Sequence, residues 1–256
     1  MSEKKDKKPI KKNIIALRNA ARAVSESAHE RRFRAVVFQL ILVVIVGVFA
    51  ILTFLVKTVP FFAIDLQVTK AIQMINFPSF ALLMKLVSWP GFSPQSIIIT
   101  GLIFLLIYGF GLHWEAITAL FAAVFPTAIN VLVKNLIQRP RPLPNLVNVI
   151  DLLPSYSFPS GHVMFYTCFL GFIVFLDFSL LKPSIKRSLV LVLLGSLVAM
   201  VGISRIYLGQ HWASDVLGAY LLGGLTLAVI IQIYLWGKKR FLVHQSVAEA
   251  KPHQRQ

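Results

Sequence analysis

The sequence predicts an all-α, polytopic membrane protein with six transmembrane helices and a functional site at the outer membrane–water interface. Of the 256 residues, 57% are hydrophobic and only 14% are charged, whereas a soluble domain has about 25% charged residues. The apolar residues fall into long runs, and the basic residues flank these runs instead of covering one polar face. These observations indicate that lipid surrounds most of the chain.

Six apolar runs meet or approach the length of about 20 residues that a helix needs to cross a bilayer. In order, they are residues 35–56, 95–110, 116–137, 162–181, 188–206 and 212–236. Polar residues and a proline interrupt the segment 65–89, so we interpret it as interfacial helix and loop and not as a seventh span. The tryptophans fall at predicted span ends, as in the aromatic belt of membrane proteins; they are Trp89, Trp114, Trp212 and Trp236.

The domain organisation follows from these runs: a basic cytoplasmic tail over residues 1–34, a membrane domain over 35–237 and a basic cytoplasmic tail over 238–256. The first tail is either disordered up to about Ser27, which we favour, or a short interfacial helix. No small-residue cleavage site follows its long basic stretch, so we expect the first span to act as an uncleaved signal anchor.

The orientation follows from the distribution of lysine and arginine, which are enriched in cytoplasmic segments. The basic first tail places the N-terminus inside, and six spans return the C-terminus inside, where Lys238, Lys239 and Arg240 fit the rule. The formal net charge of +16 is a topology signal and an attraction for anionic lipid headgroups. We therefore expect the membrane, and not nucleic acid, as the partner. The predicted localisation is the cell membrane, with both termini cytoplasmic.

The first polar string runs from Lys134 to Pro142, at the end of the third predicted span. Lys134 supplies a point charge, and Arg141, seven residues later, can bind two phosphate oxygens at once. Pro140 and Pro142 prevent the helix from continuing, so Arg141 should curl back at its end. We interpret Arg139 as a stop-transfer or headgroup-contacting residue.

The second string is Pro159, Ser160, Gly161 and His162, at the start of the fourth predicted span. Free N–H groups at a helix start bind anions, Gly161 permits close backbone approach, and the Ser160 hydroxyl adds a donor. His162 lies in the first turn and points to the same place.

The third string runs from Ser204 to Asp215. His211 and Asp215 are four residues apart, which predicts that they share a helix face and can form a hydrogen bond. A carboxylate on one imidazole nitrogen leaves the other free as a nucleophile. Arg205 can reach the same anion. The orientation places all three strings at the outer face. Together, their cations and histidines indicate a phosphate-binding site with a histidine nucleophile.

Together, the three strings resemble the signature of the type 2 phosphatidic acid phosphatase superfamily, which is K-x6-R-P, P-S-G-H and S-R-x5-H-x3-D. Each fixed position is present in order: Lys134, Arg141 and Pro142; Pro159 to His162; and Ser204, Arg205, His211 and Asp215. The match extends from Lys134 to Asp215, and the six-helix layout extends it over most of the remaining chain.

The resemblance implies a membrane lipid phosphatase that acts through a phosphohistidine and needs no metal or other cofactor. His211 would be the nucleophile, Asp215 would orient it, and His162 would protonate the leaving oxygen. Lys134, Arg141 and Arg205, with Ser160 and Gly161, would bind the phosphoryl oxygens. The expected substrate is a lipid phosphate or pyrophosphate. Two alternatives remain open: a lipid phosphotransferase that uses the same phosphohistidine, and a transporter or lipid-binding protein without enzymatic activity.

Overall fold

The computed structural model describes the backbone of residues 8–249 and the side chains of residue 30 and residues 32–240. The predicted spans are helical in it, apart from single residues at their ends. The helices are, in order, α1 (Lys8–Thr58), α2 (Ala63–Gln73), α3 (Pro78–Ser88), α4 (Gln95–Gly109), α5 (His113–Ile137), α6 (Gly161–Phe165), α7 (Gly171–Leu180), α8 (Ile185–Tyr207) and α9 (Ala213–Glu249). A π-helical segment, Tyr166–Leu170, joins α6 to α7 without a break.

The predicted membrane spans correspond to helices of sufficient length and hydropathy. Among the described residues, five helices are long and apolar enough on their own: Arg32–Thr58, His113–Ile137, Gly161–Leu180, Ile185–Tyr207 and Ala213–Arg240. The predicted span 95–110 reaches this length only together with the helix before it, as a bent pair, Pro78–Gly91 with Gln95–Gly109, whose axes differ by 61°. The apolar helices and the all-helical fold confirm a multi-pass membrane protein.

One expectation about the first hundred residues is wrong. The backbone is helical from Lys8, whereas we favoured disorder up to Ser27. Alanine, lysine and arginine, which have high helix propensity, are frequent there. The segment 65–89 consists of helix and loop, as expected: residues 74–77 separate α2 from α3, and a bend at residues 89–94 separates α3 from α4. Pro90 and Pro94 cause the bend, since neither has an N–H to continue the helix.

The chain divides into two compact units, residues 1–47 and 48–256. The described part of the first unit is the N-terminal portion of α1. In the second unit α5 packs on α4 and α9, and α8 packs on α3 and α7. The helix that starts with α6 is the most buried, and its fully buried side chains include Val163, Tyr166, Cys168, Phe169 and Phe172.

The two ends of the second unit differ. At one end, Glu115 of α5 accepts hydrogen bonds from Tyr234 at 2.9 Å and from Lys238 at 2.8 Å, both on α9. At the opposite end, residues 138–160 form a long loop over the helix ends. The loop packs closely against Gly209 (φ +66°). Only glycine fits there, because a Cβ would lie 2.1 Å from the carbonyl oxygen of Asn148. This loop carries the first two polar strings towards the third.

Candidate active site

All eight predicted site residues lie at the loop end of the second unit. Lys134 is in the last turn of α5, Arg141 is in the loop, and Ser160 immediately precedes α6, which begins with Gly161 and His162. Three more come from the α8–α9 junction: Arg205, His211 and Asp215. His162 lies within electrostatic range of Arg205, His211, Arg141 and Lys134. The fold thus brings together residues that are far apart in sequence, from position 134 to position 215.

Neutral oxygens position the first two cations. Lys134 donates hydrogen bonds to the backbone carbonyls of Tyr156 and, at 3.4 Å, Ser157. Arg141 donates to the carbonyls of Ser155 and Gln210, each at 2.6 Å, and to the Ser155 hydroxyl at 2.8 Å. Carbonyl groups fix the direction of these side chains and leave their positive charge uncompensated.

The third cation, Arg205, is completely buried. Its Nη1 donates to the Ser88 hydroxyl at 2.6 Å, and its guanidinium lies 5.1 Å from the centre of the Phe92 ring. Its Nε and Nη2 are buried and have no hydrogen-bond partner among the described residues. Within that part of the chain, Lys134, Arg141 and Arg205 form no ion pair with a carboxylate. Buried cations need an anionic partner, so this arrangement is typical of an anion-binding site.

The bend between α3 and α4 forms the wall beside His162. The Phe92 ring meets the imidazole in a T-shaped contact, with 4.5 Å between ring centres. A Cβ on Gly91 would lie 2.4 Å from His162 Cδ2, so only glycine fits beside the ring. His162 Nε2 and Ser160 Oγ are buried without a hydrogen-bond partner among the described residues. Both groups can therefore bind a substrate oxygen.

The hydrogen bonds around His211 identify its tautomer. Nη1 of Arg141 lies 3.2 Å from Nε2 of His211. Arginine has no acceptor, so Nε2 must accept, and the proton of the neutral ring is on Nδ1. The lone pair of Nε2 thus faces the cations, where a phosphoryl group would bind. This is the orientation that a nucleophilic imidazole requires.

The expectation that His211 and Asp215 share a helix face is wrong. Helix α9 begins at Ala213, so His211 precedes it. Asp215 instead reaches back to the helix start and accepts a hydrogen bond from the backbone N–H of Trp212 at 2.9 Å, as acidic residues in a first turn often do. His211 Nδ1 is 3.7 Å from Asp215 Oδ2, and Ser157 Oγ contacts both, at 3.5 Å and 2.5 Å respectively.

Burial and neighbouring charge shift the pKa of two loop residues. Burial, together with the positive charges of Arg141, Lys134 and Arg205, lowers the pKa of His211 well below its usual value, against a smaller opposing effect of the Ser157 carbonyl. Burial also lowers the pKa of Arg141 to about 10, although Asp215 opposes this. At neutral pH the structure therefore combines a neutral His211 with a charged Arg141.

Sequence reasoning missed the ion-pair network behind this site. Arg139 is 1% exposed, which contradicts its interpretation as a stop-transfer or headgroup-contacting residue. It donates hydrogen bonds to Asp65 at 2.9 Å, to Asp215 at 2.6 Å and to Ser214 at 2.7 Å. Asp65 also accepts from the Ser214 backbone N–H at 2.8 Å. The available signal was Asp65 itself, since a carboxylate in a largely apolar segment needs a buried partner.

Trp212 is another corrected expectation. It is 1% exposed and stacks on Phe61 with 5.0 Å between ring centres, so it is a core residue and not part of an aromatic belt. Its backbone N–H donates to Asp215.

Among the described residues, no group of three histidine, cysteine, aspartate or glutamate side chains is arranged to bind a metal ion.

Comparison with known proteins gives concordant results. The model of the PAP2 superfamily matches residues 114–239. Phosphatidylglycerophosphatase B of Bacillus subtilis (strain 168) is 35% identical over 116 residues, which are 43% of this chain and 53% of that protein. The chain thus matches only about half the length of this curated relative.

Two solved structures share the fold. A transmembrane PAP2-type phosphatidylglycerolphosphate phosphatase from Bacillus subtilis is 28% identical, with a TM-score of 0.67, over 78% of this chain and 98% of that one. LpxE of Aquifex aeolicus is 21% identical, with a TM-score of 0.52, over 67% of this chain and 96% of that one. The second likeness concerns the fold alone.

Proposed function

The chain belongs to the PAP2 superfamily, and we propose that it is an integral-membrane lipid phosphatase that acts through a phosphohistidine. The observation that carries this proposal is a cluster of three cations without carboxylate partners among the described residues. The cluster faces two histidine nitrogens: Nε2 of His162, which has no partner there, and Nε2 of His211, which contacts only the cation Arg141. The carboxylate beside the cluster, Asp215, is already paired with Arg139. The positive charge of the cluster is therefore available to a phosphate group.

In the proposed reaction, Nε2 of His211 attacks phosphorus in line with the bond to the leaving oxygen. That bond breaks as the N–P bond forms, and His162 donates a proton to the leaving oxygen. Lys134, Arg141 and Arg205 stabilise the charge that develops on the three peripheral oxygens. His162 then takes a proton from water, which attacks phosphorus and releases inorganic phosphate and free His211.

The substrate class follows from where the site lies. The site is at the ends of membrane-spanning helices, so a lipid can present its headgroup while its tail stays in the bilayer. The names of the relatives point to phosphatidylglycerol phosphate; phosphatidic acid and a polyprenyl pyrophosphate have the same phosphate head and apolar tail. We propose a phosphomonoester or pyrophosphate of this type as substrate.

We propose that the site faces outward and that both termini are cytoplasmic. The support is the basic loop Lys182–Arg187 and the basic segment Lys238–Arg240 at the opposite end of the helices from the site. We also propose that hydrolysis needs no metal ion, because Lys134, Arg141 and Arg205 supply the positive charge that a metal would otherwise provide.

The test is phosphate release from detergent-solubilised phosphatidylglycerol phosphate, phosphatidic acid and polyprenyl pyrophosphate, with excess chelator present. We expect release by the wild type and a loss on the order of 10⁶ in His211→Ala, by analogy with removal of a catalytic-triad nucleophile. His113→Ala is the matched control, since His113 is exposed at the other end of α5.

Near-normal release by His211→Ala would exclude His211 as nucleophile. Loss of activity with chelator, restored only by a metal, would overturn the metal-free mechanism. Release that appears only as phosphate transferred to an added lipid or sugar acceptor would identify a phosphotransferase instead.

A further inference from the structure

The contact between His211 and Asp215 is indirect. The 3.7 Å between His211 Nδ1 and Asp215 Oδ2 is too long for a hydrogen bond. The two oxygens of Asp215 are already engaged: Oδ1 accepts from Arg139, and Oδ2 accepts from Ser157 Oγ and from the Trp212 N–H. A separate group must therefore connect the carboxylate to the imidazole.

Ser157 is placed to make that connection. It is completely buried, and its hydroxyl donates to Asp215 Oδ2 at 2.5 Å. A hydroxyl has one proton and two lone pairs, so the oxygen can still accept. Its Oγ lies 3.5 Å from His211 Nδ1, the nitrogen that carries the proton. Catalytic hydrogen bonds are often this long without substrate and shorten when it binds.

The loop fixes Ser157 in this position. Its backbone N–H donates to the Arg139 carbonyl at 2.8 Å, and its own carbonyl accepts from Lys134 at 3.4 Å. The next residue, Phe158, is completely buried, and its ring fills the space that a Cβ on Gly218 would occupy. The serine hydroxyl is thus held at the start of α9, where both partners are.

We propose that Ser157 is a positioning residue that links His211 to Asp215 through its hydroxyl, an inference that rests on the proposed phosphohistidine mechanism. Ser157 accepts the Nδ1–H of His211 and donates to Asp215, which keeps the proton on Nδ1. When Nε2 forms its bond to phosphorus, the ring becomes positively charged while Nδ1 keeps its proton. The serine dipole and the carboxylate behind it stabilise that charge, and no proton moves to Asp215.

The Ser157 backbone carbonyl also faces the His211 ring, so the experiment must separate it from the hydroxyl. Ser157→Ala removes the hydroxyl and keeps the carbonyl. We expect kcat to fall roughly 10- to 100-fold, by analogy with the loss of a group that orients a metal-binding histidine, while KM stays unchanged. The rate of phosphohistidine formation, measured by rapid alkaline quench with ³²P-labelled substrate, should fall by the same factor.

Two further variants make the result specific. Ser157→Thr keeps a hydroxyl and should restore most of the rate. Thr226→Ala is the matched control, because it removes a buried hydroxyl that bonds within α9, to the Leu222 carbonyl at 2.8 Å. It should behave as the wild type.

A double-mutant cycle decides the mechanism even if Ser157→Thr does not fold. If Ser157 acts through Asp215, Ser157→Ala should cost little more in an Asp215→Asn background. Full additivity, an unchanged kcat in Ser157→Ala, or a change in KM alone would overturn the proposal. Comparison of phosphate release by the wild type and His211→Ala tests the phosphohistidine mechanism separately. Failure of that mechanism and failure of the Ser157 proposal can therefore be distinguished.

Discussion

Replacing Gly91 by alanine should displace the proposed general acid without changing any group that takes part in the chemistry. The new Cβ would lie 2.4 Å from His162 Cδ2 and 3.0 Å from Tyr166 Cε2. Carbon atoms in contact need about 3.5 Å, so the imidazole or the backbone must move by about 1 Å. Tyr166 limits the backbone movement, because its hydroxyl is bonded to the Val87 carbonyl at 2.7 Å.

A displacement of about 1 Å in a catalytic group costs on the order of 10² in rate. We therefore expect kcat of Gly91→Ala to fall by about that factor on a lipid phosphate. The rate of phosphohistidine formation should fall much less on an aryl phosphate, whose leaving oxygen needs little protonation. Rapid-quench measurement of that step on both substrates, with elution volume in detergent as the check on folding, measures this difference.

The control is Gly101→Ala in the same bent span, where no heavy atom lies within 4 Å of the added Cβ. A Gly91→Ala enzyme with wild-type kcat on the lipid would refute the assignment of His162 to the leaving oxygen. An equal fall in the rate of phosphohistidine formation on both substrates would show that the substitution disturbs binding or folding instead.

Two other predictions follow from the charges. Arg139→Ala leaves Asp65 and Asp215 buried without their cation, so the free energy of unfolding should fall by about 3–5 kcal/mol. Thermal unfolding in detergent measures this loss. A midpoint temperature equal to that of the wild type would contradict a structural role of Arg139. Because the pKa of His211 is well below its usual value, its nucleophilic nitrogen is protonated only in acid. As pH rises, kcat/KM should increase through that low pKa, so the acid limb of the pH profile should lie below about pH 6.5. An acid limb above that value would show that His211 is not held neutral.

The features that could be predicted from sequence are those that depend on residue types and near neighbours in the chain. Long apolar runs identify spans because each helix must satisfy its own backbone in lipid. The identities of Lys134, Arg141, Arg205 and the two histidines fit a phosphate site before any distance is known. The structure then brings them together, as the three strings predict.

The remaining contacts depend on tertiary packing. Asp65 and Arg139 pair across 74 positions, and no periodicity links α2 to the loop after α5. The spacing of His211 and Asp215 suggested a shared helix face, but that rule applies only inside a helix, and α9 begins only at Ala213. A serine two residues before a proline, such as Ser157, is ordinary in a turn, so its contact with Asp215 had no sequence signal.

The neutral partners of the three cations have a consequence for the protein as a whole. Lys134, Arg141 and Arg205 repel one another in a region of low dielectric, and carbonyl and hydroxyl dipoles offset this only in part. A tetrahedral oxyanion relieves the repulsion whether it is reactant, product or an inert mimic. In the proposed mechanism, substrate turnover, inhibition by released phosphate and resistance to heat would therefore all depend on this repulsion. A ligand that binds only the folded state stabilises it more as its concentration rises above its Kd.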